Sequence, residues 1–355
     1  MSHSIGLIGC GGISSVWVDA VAQNAGCKIL YTYDVDKGAA VKKAEEIGAE
    51  AVGELHELLA FSDIDMVVIG TPTFTHADLA VQAAQAGKHV MCEKPMALNL
   101  GECQRMIDAC AAGGVKIAIG HSLRFWGAFY KSRQLIAEGT IGRPVFGQIH
   151  RMGPSKVLPA SKASGESSDH WRSDTRYSGG SIPEGFIHEL DYSRSVFGEV
   201  VSVYCESTGR RVYGDHVSPP VVQAVIDYEG GETATLRMGG TVGYNWNGTT
   251  ICGTTGSLSF TGWGGPVYLH RPDAAEPEEI GCDDTLAYTL ELRDLIKAVA
   301  SGGAPENSGL NGKKNYGLCL AMYRSMEEGR RVDFTDGIPD GIAGDWQYTG
   351  PAEIE

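Results

Sequence analysis

The residues best suited to chemistry near the start of the chain are a cluster of glycines. The segment Gly9-Cys10-Gly11-Gly12-Ile13-Ser14 follows a short apolar run and opens a segment with helical spacing. In a strand–turn–helix setting, such glycines permit a tight turn and the close approach of a pyrophosphate, and the helix N-terminus offers free N–H groups. Gly9, Gly11, Gly12 and Ile13 are therefore predicted to bind a dinucleotide, with an ordinary glycine-rich turn as the alternative.

An acidic residue, Asp34, closes the next apolar run. At this position a carboxylate accepts hydrogen bonds from the adenosine ribose hydroxyls. The 2′-phosphate of NADP would face Asp34 and Asp36, with Lys37 alone to compensate. The sequence therefore predicts NAD rather than NADP, and the alternative role of Asp34 is a helix N-cap, which Asp36 could fill instead.

Glu184 and His188 lie four residues apart in a later segment with helical spacing. Residues at i and i+4 share one helical face, so both side chains could address a single substrate. A His with a pKa near neutrality suits a general acid/base that takes a hydroxyl proton. Two alternatives are a metal site with Glu189 and Asp191, although Glu189 should point away from His188, and an ordinary surface histidine.

The first 120 residues must position the glycine cluster. Short apolar runs alternate there with amphipathic segments, which is the pattern of βαβ units and a parallel sheet. We predict strands at residues 5–8, 28–33, 66–69, 89–92 and 116–119. Helical spacing predicts helices at residues 13–24, 37–47, 76–85 and 100–112, so the N-terminal part is predicted to be a doubly wound α/β domain.

The pattern changes after about residue 120, where a second, sheet-rich α+β domain is predicted to begin. One more helix is predicted at residues 123–138. We predict strands at residues 145–149, 200–206, 221–228, 233–238, 249–252 and 257–260, mostly antiparallel and separated by glycine-containing turns. Helices at residues 286–300 and 316–328 are expected to pack back across the domains, before a tail rich in Gly and Pro.

Composition excludes several classes of function. The 29 Lys and Arg against 44 Asp and Glu give a net charge of −15, which disfavours nucleic acid or an anionic membrane surface as a partner. No window holds 18 consecutive apolar residues, and the nine cysteines form no CxxC pair. We expect a cytoplasmic protein with free thiols and no metal site.

Two further segments carry a resemblance to a known family. They are Ile69-Gly70-Thr71-Pro72-Thr73 with His76, and Gly87-Lys88-His89-Val90-Met91-Cys92-Glu93-Lys94-Pro95. With the glycine loop and a later Gly179-Gly180…His188…Asp191 stretch, they make the chain resemble the Gfo/Idh/MocA oxidoreductases from residue 5 to about residue 335. The most specific motif is Glu93-Lys94-Pro95.

The resemblance implies a fold and a cofactor. It implies an N-terminal Rossmann domain (residues 1–121), an open-faced, mixed and mostly antiparallel sheet domain (122–335) and a tail (336–355), with the active site in the cleft between the domains. NAD would be held by the glycine loop and Asp34, and further by Thr71, Pro72, Thr73, His76, Glu93 and Lys94. His76 could equally be a structural cap. Pairing of the open sheet faces would give a homodimer or homotetramer.

The resemblance also implies catalytic roles. Lys94 would lie beside the nicotinamide and the substrate hydroxyl, with Pro95 in a cis peptide bond, and would stabilise developing alkoxide charge. His188 would be the general acid/base. Glu184 stands where the family commonly has Asp, so its one extra methylene leaves two roles open: it could orient His188 or grip a neighbouring hydroxyl.

Substrate contacts are expected from Lys94, Glu184, His188, Arg124, Trp171 and Arg172. Arg124 could instead be a domain-interface residue, and Trp171 could stack on a sugar or close the core. The segment 143–177 carries six Lys and Arg against three Asp and Glu. A basic loop would favour a sugar with a carboxylate, phosphate or sulfonate, and a solvated loop is the alternative.

The sequence thus predicts an NAD-dependent dehydrogenase that acts on a secondary hydroxyl of a sugar, sugar acid or cyclic polyol. The main alternative is a redox-neutral NAD-dependent glycoside hydrolase that oxidises a ring carbon, eliminates, hydrates and then returns the hydride. The same Lys94 and His188 would serve both activities. A non-catalytic NAD sensor is disfavoured because both residues are present.

Overall fold

The computed structural model describes residues 3–154, 170–208, 221–239, 241–283 and 287–350. The chain forms two compact units, the first made of residues 1–122 and 286–316 and the second of residues 123–285 and 317–355. The first unit therefore includes a return segment, residues 286–316, that lies outside the predicted range 1–121. The reason is packing, because this segment contributes to the first unit's core.

The first unit is built on a six-stranded, all-parallel sheet, in the order β3-β2-β1-β4-β5-β6. Its strands are β1 (His3–Ile8), β2 (Cys27–Tyr33), β3 (Glu50–Ala51), β4 (Met66–Ile69), β5 (His89–Cys92) and β6 (Ile117–Ile119). Its helices are α1 (Ser14–Gln23), α2 (Lys37–Ile47), α3 (Leu55–Ala60), α4 (Thr73–Gln85) and α5 (Leu100–Ala112). The predicted doubly wound sheet is confirmed. All four residues of β4 are buried, as expected of a parallel strand covered on both faces.

The return segment brings α10 (Ala287–Ser301) into this unit. Its Leu292 and Leu295 are fully buried in one cluster with Trp17 of α1 and Leu7 of β1. Helix α11 (Gly309–Glu328) follows, and its first residues, up to Tyr316, also belong to the first unit. This helix begins seven residues earlier than predicted.

The second unit is built on a ten-stranded mixed sheet, in the order β14-β13-β12-β11-β7-β10-β9-β8-β15-β16. Its strands are β7 (Pro144–Pro154), β8 (Val200–Thr208), β9 (Val221–Tyr228), β10 (Thr233–Gly239), β11 (Thr241–Gly253), β12 (Ser257–Phe260), β13 (Val267–His270), β14 (Glu278–Ile280), β15 (Val332–Thr335) and β16 (Ile338–Pro339). Among the described strands of this second sheet, only β7 and β10 pair in parallel. The predicted mixed, mostly antiparallel sheet is confirmed, whereas β13 to β16, of two to four residues each, were not predicted.

The helical elements of the second unit come mostly before β8. They are α6 (Gly127–Ala137), α7 (His170–Ser173), α8 (Thr175–Ser178), a π-helical turn (Ile182–Phe186) and α9 (Ile187–Phe197). The predicted helix at residues 123–138 is interrupted, because Ser122–Phe125 forms a 3-10 turn before α6 begins. The tail packs on this unit, where the ring of Tyr348 stacks on that of Tyr323 at 3.6 Å.

One face of the large sheet is covered and the other is open. Strand β9 alternates between half-buried and buried residues, and a Cβ on Gly147 would lie 2.6 Å from the Phe197 ring, so α9 packs directly on the covered face. On the other face, Phe146 and Trp246 are 38% and 43% exposed. None of the described helices is both long and apolar enough to cross a membrane.

Candidate active site

The glycine loop connects β1 to α1 in the first unit. Gly9 has a φ of +94°, and a Cβ there would lie 2.8 Å from the carbonyl carbon and oxygen of Gly70. No atom lies within 4 Å of the corresponding positions at Gly11 and Gly12. Ile13 occupies the N-cap position of α1 without a side-chain cap. Gly9 is thus required by the fold, whereas Gly11 and Gly12 leave the open space that a pyrophosphate needs at a helix N-terminus.

Asp34 follows β2 and holds two backbone groups. Its Oδ2 accepts a hydrogen bond from the N–H of Cys10 at 2.7 Å, and its Oδ1 accepts one from the N–H of Asp36 at 2.9 Å. Asp36 caps α2, because its Oδ1 accepts from the N–H of Gly38 at 2.9 Å. The cap is therefore supplied by Asp36, and Asp34 stands next to the glycine loop. Burial and the charge of Asp34 raise the pKa of the Cys10 thiol to about 12.

The segment after β4 contains the predicted residues Thr71, Pro72, Thr73 and His76. Thr71 and Pro72 are half-buried, whereas Thr73 and His76 are 1% exposed. The Nδ1 and Nε2 atoms of His76 each lie 2.8 Å from a backbone oxygen, that of Pro95 and that of Thr71 respectively. Burial lowers the pKa of His76. Both ring nitrogens therefore face the protein's own backbone, which favours the structural role left open for this residue.

The Glu93-Lys94-Pro95 segment follows the carboxyl end of β5. The Lys94–Pro95 peptide bond is cis, as the resemblance implied, and Lys94 is half-buried. The Glu93 side chain is 7% exposed. Its Oε1 accepts a hydrogen bond from the Trp17 indole at 2.9 Å, and its Oε2 accepts one from the N–H of Lys94 at 3.1 Å. Glu93 thus joins α1 to the backbone of Lys94.

The first unit fits a dinucleotide at the residues named above. Open space lies over Gly11 and Gly12, and α1 begins directly after the glycine loop. The Asp34 carboxylate lies after the end of β2, next to this loop. The carboxyl ends of parallel strands are the edge at which such sheets bind ligands. Thr71 and Lys94 follow two neighbouring strands, β4 and β5, at this same edge.

In the second unit, Glu184 and His188 lie on either side of a change in helix type. Gly179 and Gly180 have φ values of +76° and +92°, and a π-helical turn over Ile182–Phe186 contains Glu184. His188 lies in the first turn of α9 and is 7% exposed. The prediction assumed one regular α-helix, and the π turn changes the angular spacing on which that shared face depended.

Trp263 lies near His188, and Trp126 lies next to Trp263. The ring of Trp263 is 6.0 Å from the imidazole of His188, in an edge-on arrangement, and 5.4 Å from the ring of Trp126. Trp263 stands in the glycine-rich turn Gly262–Gly265, which follows β12. Sequence reasoning missed it because a single Trp in a turn carries no motif, and the glycines around it were the available signal.

The cations of the predicted basic loop are engaged with carboxylates where the structure describes them. Arg172 Nε lies 3.6 Å from Glu184 Oε2, and the Arg172 guanidinium covers the Trp171 ring at 4.7 Å. Three more arginines form ion pairs at 2.6–2.9 Å, namely Arg143 with Glu232, Arg151 with Glu189 and Arg176 with Asp174. Lys156, Lys162, Glu166 and Asp169 lie outside the described residues. The four arginines alone thus give little support to an anion site.

Two ion pairs, one of them buried on both sides, hold the helix that carries His188. Arg124 donates to Asp191 through Nε at 2.5 Å and Nη2 at 2.8 Å, and both residues are less than 10% exposed. Arg151 donates to Glu189 at 2.9 Å. Burial raises the pKa of the Glu189 carboxyl, while the Arg151 guanidinium acts in the opposite direction. The sequence left Arg124 open between a substrate contact and a domain-interface residue, and its bidentate bond with Asp191 favours a structural role.

A metal site was the alternative interpretation of the acidic residues in this segment. Within the described ranges, no three His, Cys, Asp or Glu side chains are grouped so that they could hold a metal ion. Glu189 and Asp191, which the alternative interpretation joined to His188, are each bonded to an arginine.

Comparison with protein families assigns both parts of the chain. Residues 3–121 match the model described as "Oxidoreductase family, NAD-binding Rossmann fold", and residues 129–259 match the "GFO/IDH/MocA C-terminal domain". The chain belongs to the Gfo/Idh/MocA oxidoreductase family. The resemblance noted from Glu93-Lys94-Pro95 is confirmed, and so is the NAD-binding Rossmann domain.

Curated relatives and solved structures of this family are similar over most of the chain. Inositol 2-dehydrogenase of Rhizobium meliloti (strain 1021) is 28% identical over 94% of this chain and 99% of its own length. The 2,7-anhydro-N-acetylneuraminate hydratase of Escherichia coli K12 is 27% identical over 71% of this chain and 66% of its own length. A crystal structure of a "probable dehydrogenase from Thermotoga maritima" has a TM-score of 0.76 at 26% identity and covers 93% of this chain and 98% of that one.

Proposed function

We propose that this protein is an NAD-dependent dehydrogenase that acts on a secondary hydroxyl of a sugar, sugar acid or cyclic polyol. The observation that carries the proposal is the position of Lys94. Lys94 lies just after β5, at the carboxyl ends of the strands of an NAD-binding Rossmann sheet. It belongs to the Glu93-Lys94-Pro95 segment, the most specific motif of the family resemblance. The similarity to a named inositol 2-dehydrogenase over 94% of the chain supports a polyol or sugar substrate.

NAD would be held by the first unit. The open space at Gly11 and Gly12 and the N-terminus of α1 would receive the pyrophosphate, and Asp34 would accept hydrogen bonds from the adenosine ribose. Bound NAD supplies the nicotinamide carbon that accepts or gives the hydride. We assign Thr71, Pro72 and Thr73 to the same edge of the site, since they lie directly after β4.

The chain's own residues would handle the proton and the charge. The Lys94 ammonium would orient the substrate oxygen and stabilise the negative charge that develops on it. The His188 imidazole would take the hydroxyl proton as the hydride leaves. Glu184 would bond a neighbouring hydroxyl, with Arg172 at 3.6 Å fixing its carboxylate. We retain Trp171 as a candidate surface for a sugar ring.

The proposal is tested by mixing the purified protein with NAD and a panel of inositols, neutral sugars and sugar acids while NADH absorbance is followed. We expect NADH to rise with one class of substrate. Lys94→Ala and His188→Ala should each lower kcat by at least about 100-fold, within the range of general acid–base catalysis. His270→Ala is the matched control, because His270 is exposed on β13. Wild-type turnover in both active-site variants would refute the proposal.

A redox-neutral reaction is the second candidate, and the hydratase relative is the observation that favours it. In such a reaction the hydride removed from the substrate is returned within the same turnover, so no net NADH appears. The discriminating measurement is product analysis with anhydro-sugars and glycosides. A hydrated or cleaved product with a flat NADH signal would assign the protein to this class.

We propose further that the protein forms a homodimer or homotetramer through the open face of the ten-stranded sheet. A cavity of about 270 Å³ lies on this face, lined by His150, Glu206, Arg237 and Trp246 among others. A surface with both charge signs and an exposed indole can pair with a second copy of itself. Light scattering should give a dimer or tetramer mass, and Trp246→Glu should reduce it; a monomer mass for the unmodified chain would contradict the proposal.

We propose a cytoplasmic location on the basis of the cysteines. All nine are free, which is typical of proteins in a reducing compartment. Titration of the denatured protein, prepared without reductant, should give nine thiols. A lower number would indicate an oxidising compartment.

A further inference from the structure

The backbone of Lys94 is bracketed by two buried side chains, Trp17 and His76. Trp17 lies on α1 and is fully buried, and it reaches Lys94 through the Glu93 carboxylate. His76 lies on α4 and contacts the carbonyl oxygen of Pro95, the residue after Lys94. Trp17 therefore contacts the residue before Lys94, and His76 contacts the residue after it.

The Glu93 carboxylate is enclosed from several directions. A Cβ on Gly120, which follows β6, would lie 3.3 Å from Glu93 Oε2, so a side chain there would crowd this carboxylate. The Trp17 ring contacts the ring of Tyr288 edge-on at 5.2 Å. Burial is the main cause that raises the pKa of Tyr288, and the negative charge of Glu93 adds to it. A carboxylate confined in this way has little freedom to rotate. Its hydrogen bonds therefore hold the Trp17 indole and the Lys94 N–H in place.

We propose that Trp17 and His76 are positioning residues that fix the backbone of Lys94. The inference rests on the proposed function, in which the Lys94 amine orients the substrate oxygen. A lysine amine ends a flexible four-carbon side chain, so its reach is defined only if its backbone is held. Because Trp17 belongs to the helix that begins at the glycine loop, it also ties the orientation of Lys94 to the element predicted to bind the pyrophosphate.

The variant Trp17→Phe tests the first contact. Phenylalanine keeps an aromatic ring against Tyr288 and deletes the N–H that donates to Glu93. We expect kcat to fall about 10-fold, since small displacements of a catalytic group cost up to about 100-fold. The KM for substrate and the Kd for NAD, measured by calorimetry, should stay within about twofold of the wild-type values.

Hydrogen exchange gives a readout that does not depend on turnover. The Lys94 amide donates to Glu93, so a peptide covering residues 92–97 should exchange faster in Trp17→Phe than in the wild type, without NAD. Trp346→Phe is the matched control, because that indole lies against Arg324 in the second unit. It should change neither exchange nor kcat.

His76 is tested by a pair of variants. The amide of His76→Asn can place a donor near the former Nδ1 and so retain the contact with Pro95, whereas His76→Leu fills the space without one. We expect His76→Asn to keep most of kcat and His76→Leu to lose about as much as Trp17→Phe. If Trp17→Phe fails to fold, Glu93→Gln takes its place, since one amide oxygen cannot occupy both positions that now accept from Trp17 and Lys94.

The outcomes separate this inference from the proposed function. Unchanged kcat and unchanged exchange at residues 92–97 in Trp17→Phe would overturn it. So would a loss of activity explained by weaker NAD binding, because Trp17 would then act on the cofactor site. Full turnover in both Lys94→Ala and His188→Ala would overturn the proposed function, whereas faster exchange in Trp17→Phe would still stand as evidence that Trp17 fixes the segment.

Discussion

The N–H of Cys10 donates a hydrogen bond to the carboxylate of Asp34 at 2.7 Å. This bond joins the glycine loop after β1 to the end of β2, so the residue predicted to recognise the ribose also anchors the loop predicted to hold the pyrophosphate. A change at Asp34 is therefore expected to alter two parts of the cofactor site at once.

Asp34→Ala should weaken NAD binding by at least about 10-fold, equivalent to about 1.4 kcal/mol, because both the ribose acceptor and the loop anchor are lost. The ratio of the NADP to the NAD dissociation constant should fall, since the negative charge that opposes a 2′-phosphate is removed. Calorimetry with both cofactors measures this. Asp36→Ala is the control for NAD binding, because it removes the α2 cap without touching Cys10, and an equal weakening of NAD binding in the two variants would contradict the prediction.

Gly9→Ala and Gly12→Ala should differ in kind. At Gly9 the φ of +94° and the 2.8 Å approach to Gly70 oppose a side chain, so we expect a loss of about 1–3 kcal/mol in unfolding free energy. At Gly12 there is open space, so stability should change little while NAD binding weakens. Urea denaturation and NAD titration together test the pair. A stable Gly9→Ala protein would show that the loop can rearrange.

Arg124→Ala should destabilise the second unit by about 3–5 kcal/mol, because it leaves the fully buried Asp191 carboxylate without its bidentate partner. The double variant Arg124→Met, Asp191→Leu should recover much of this loss, since both charges of the pair are removed together. Denaturant unfolding gives the free energies. If Arg124→Ala instead kept its stability and raised KM for substrate, Arg124 would be a substrate contact.

The His76 imidazole predicts a pH dependence of stability. Burial lowers its pKa in the folded protein below the ordinary value of 6.5, so the unfolded chain binds this proton first as pH falls. The contribution is complete above about pH 6.5 and decreases as pH drops from there toward the folded-state pKa. Tm values measured between pH 8 and pH 5 should fall less steeply in His76→Asn than in the wild type. Equal slopes would show that His76 is not responsible.

The sequence predicted the elements that repeat a strong pattern. The apolar run at residues 66–69 and the alternation at 221–228 became β4 and β9 with the predicted bounds. Short strands such as β16, with two residues, have too few residues for any periodicity. They form because a neighbouring strand supplies the hydrogen bonds.

Candidate site residues could be proposed from the sequence where they belong to a local motif. They could not be proposed where the role of a residue depends on a partner far away in the sequence. Lys94 and the glycine loop were singled out because both belong to local motifs that carry the family resemblance. Arg124 was left open between a substrate contact and a domain-interface residue, since no local signal shows that Asp191, 67 residues later, would bind it. Trp17 was not singled out from the sequence, because its bond to Glu93 spans 76 residues.

The return of residues 286–316 to the first unit has a consequence for synthesis on the ribosome. Leu292 and Leu295 complete the apolar cluster around Leu7 and Trp17, yet they are translated after the whole of residues 123–285. The nucleotide-binding unit therefore has part of its interior uncovered until residues 286–316 have been synthesised, and the second unit is complete only after residues 317–355 follow them. A nascent chain that stops before residue 286 would expose the apolar surface that Leu292 and Leu295 cover.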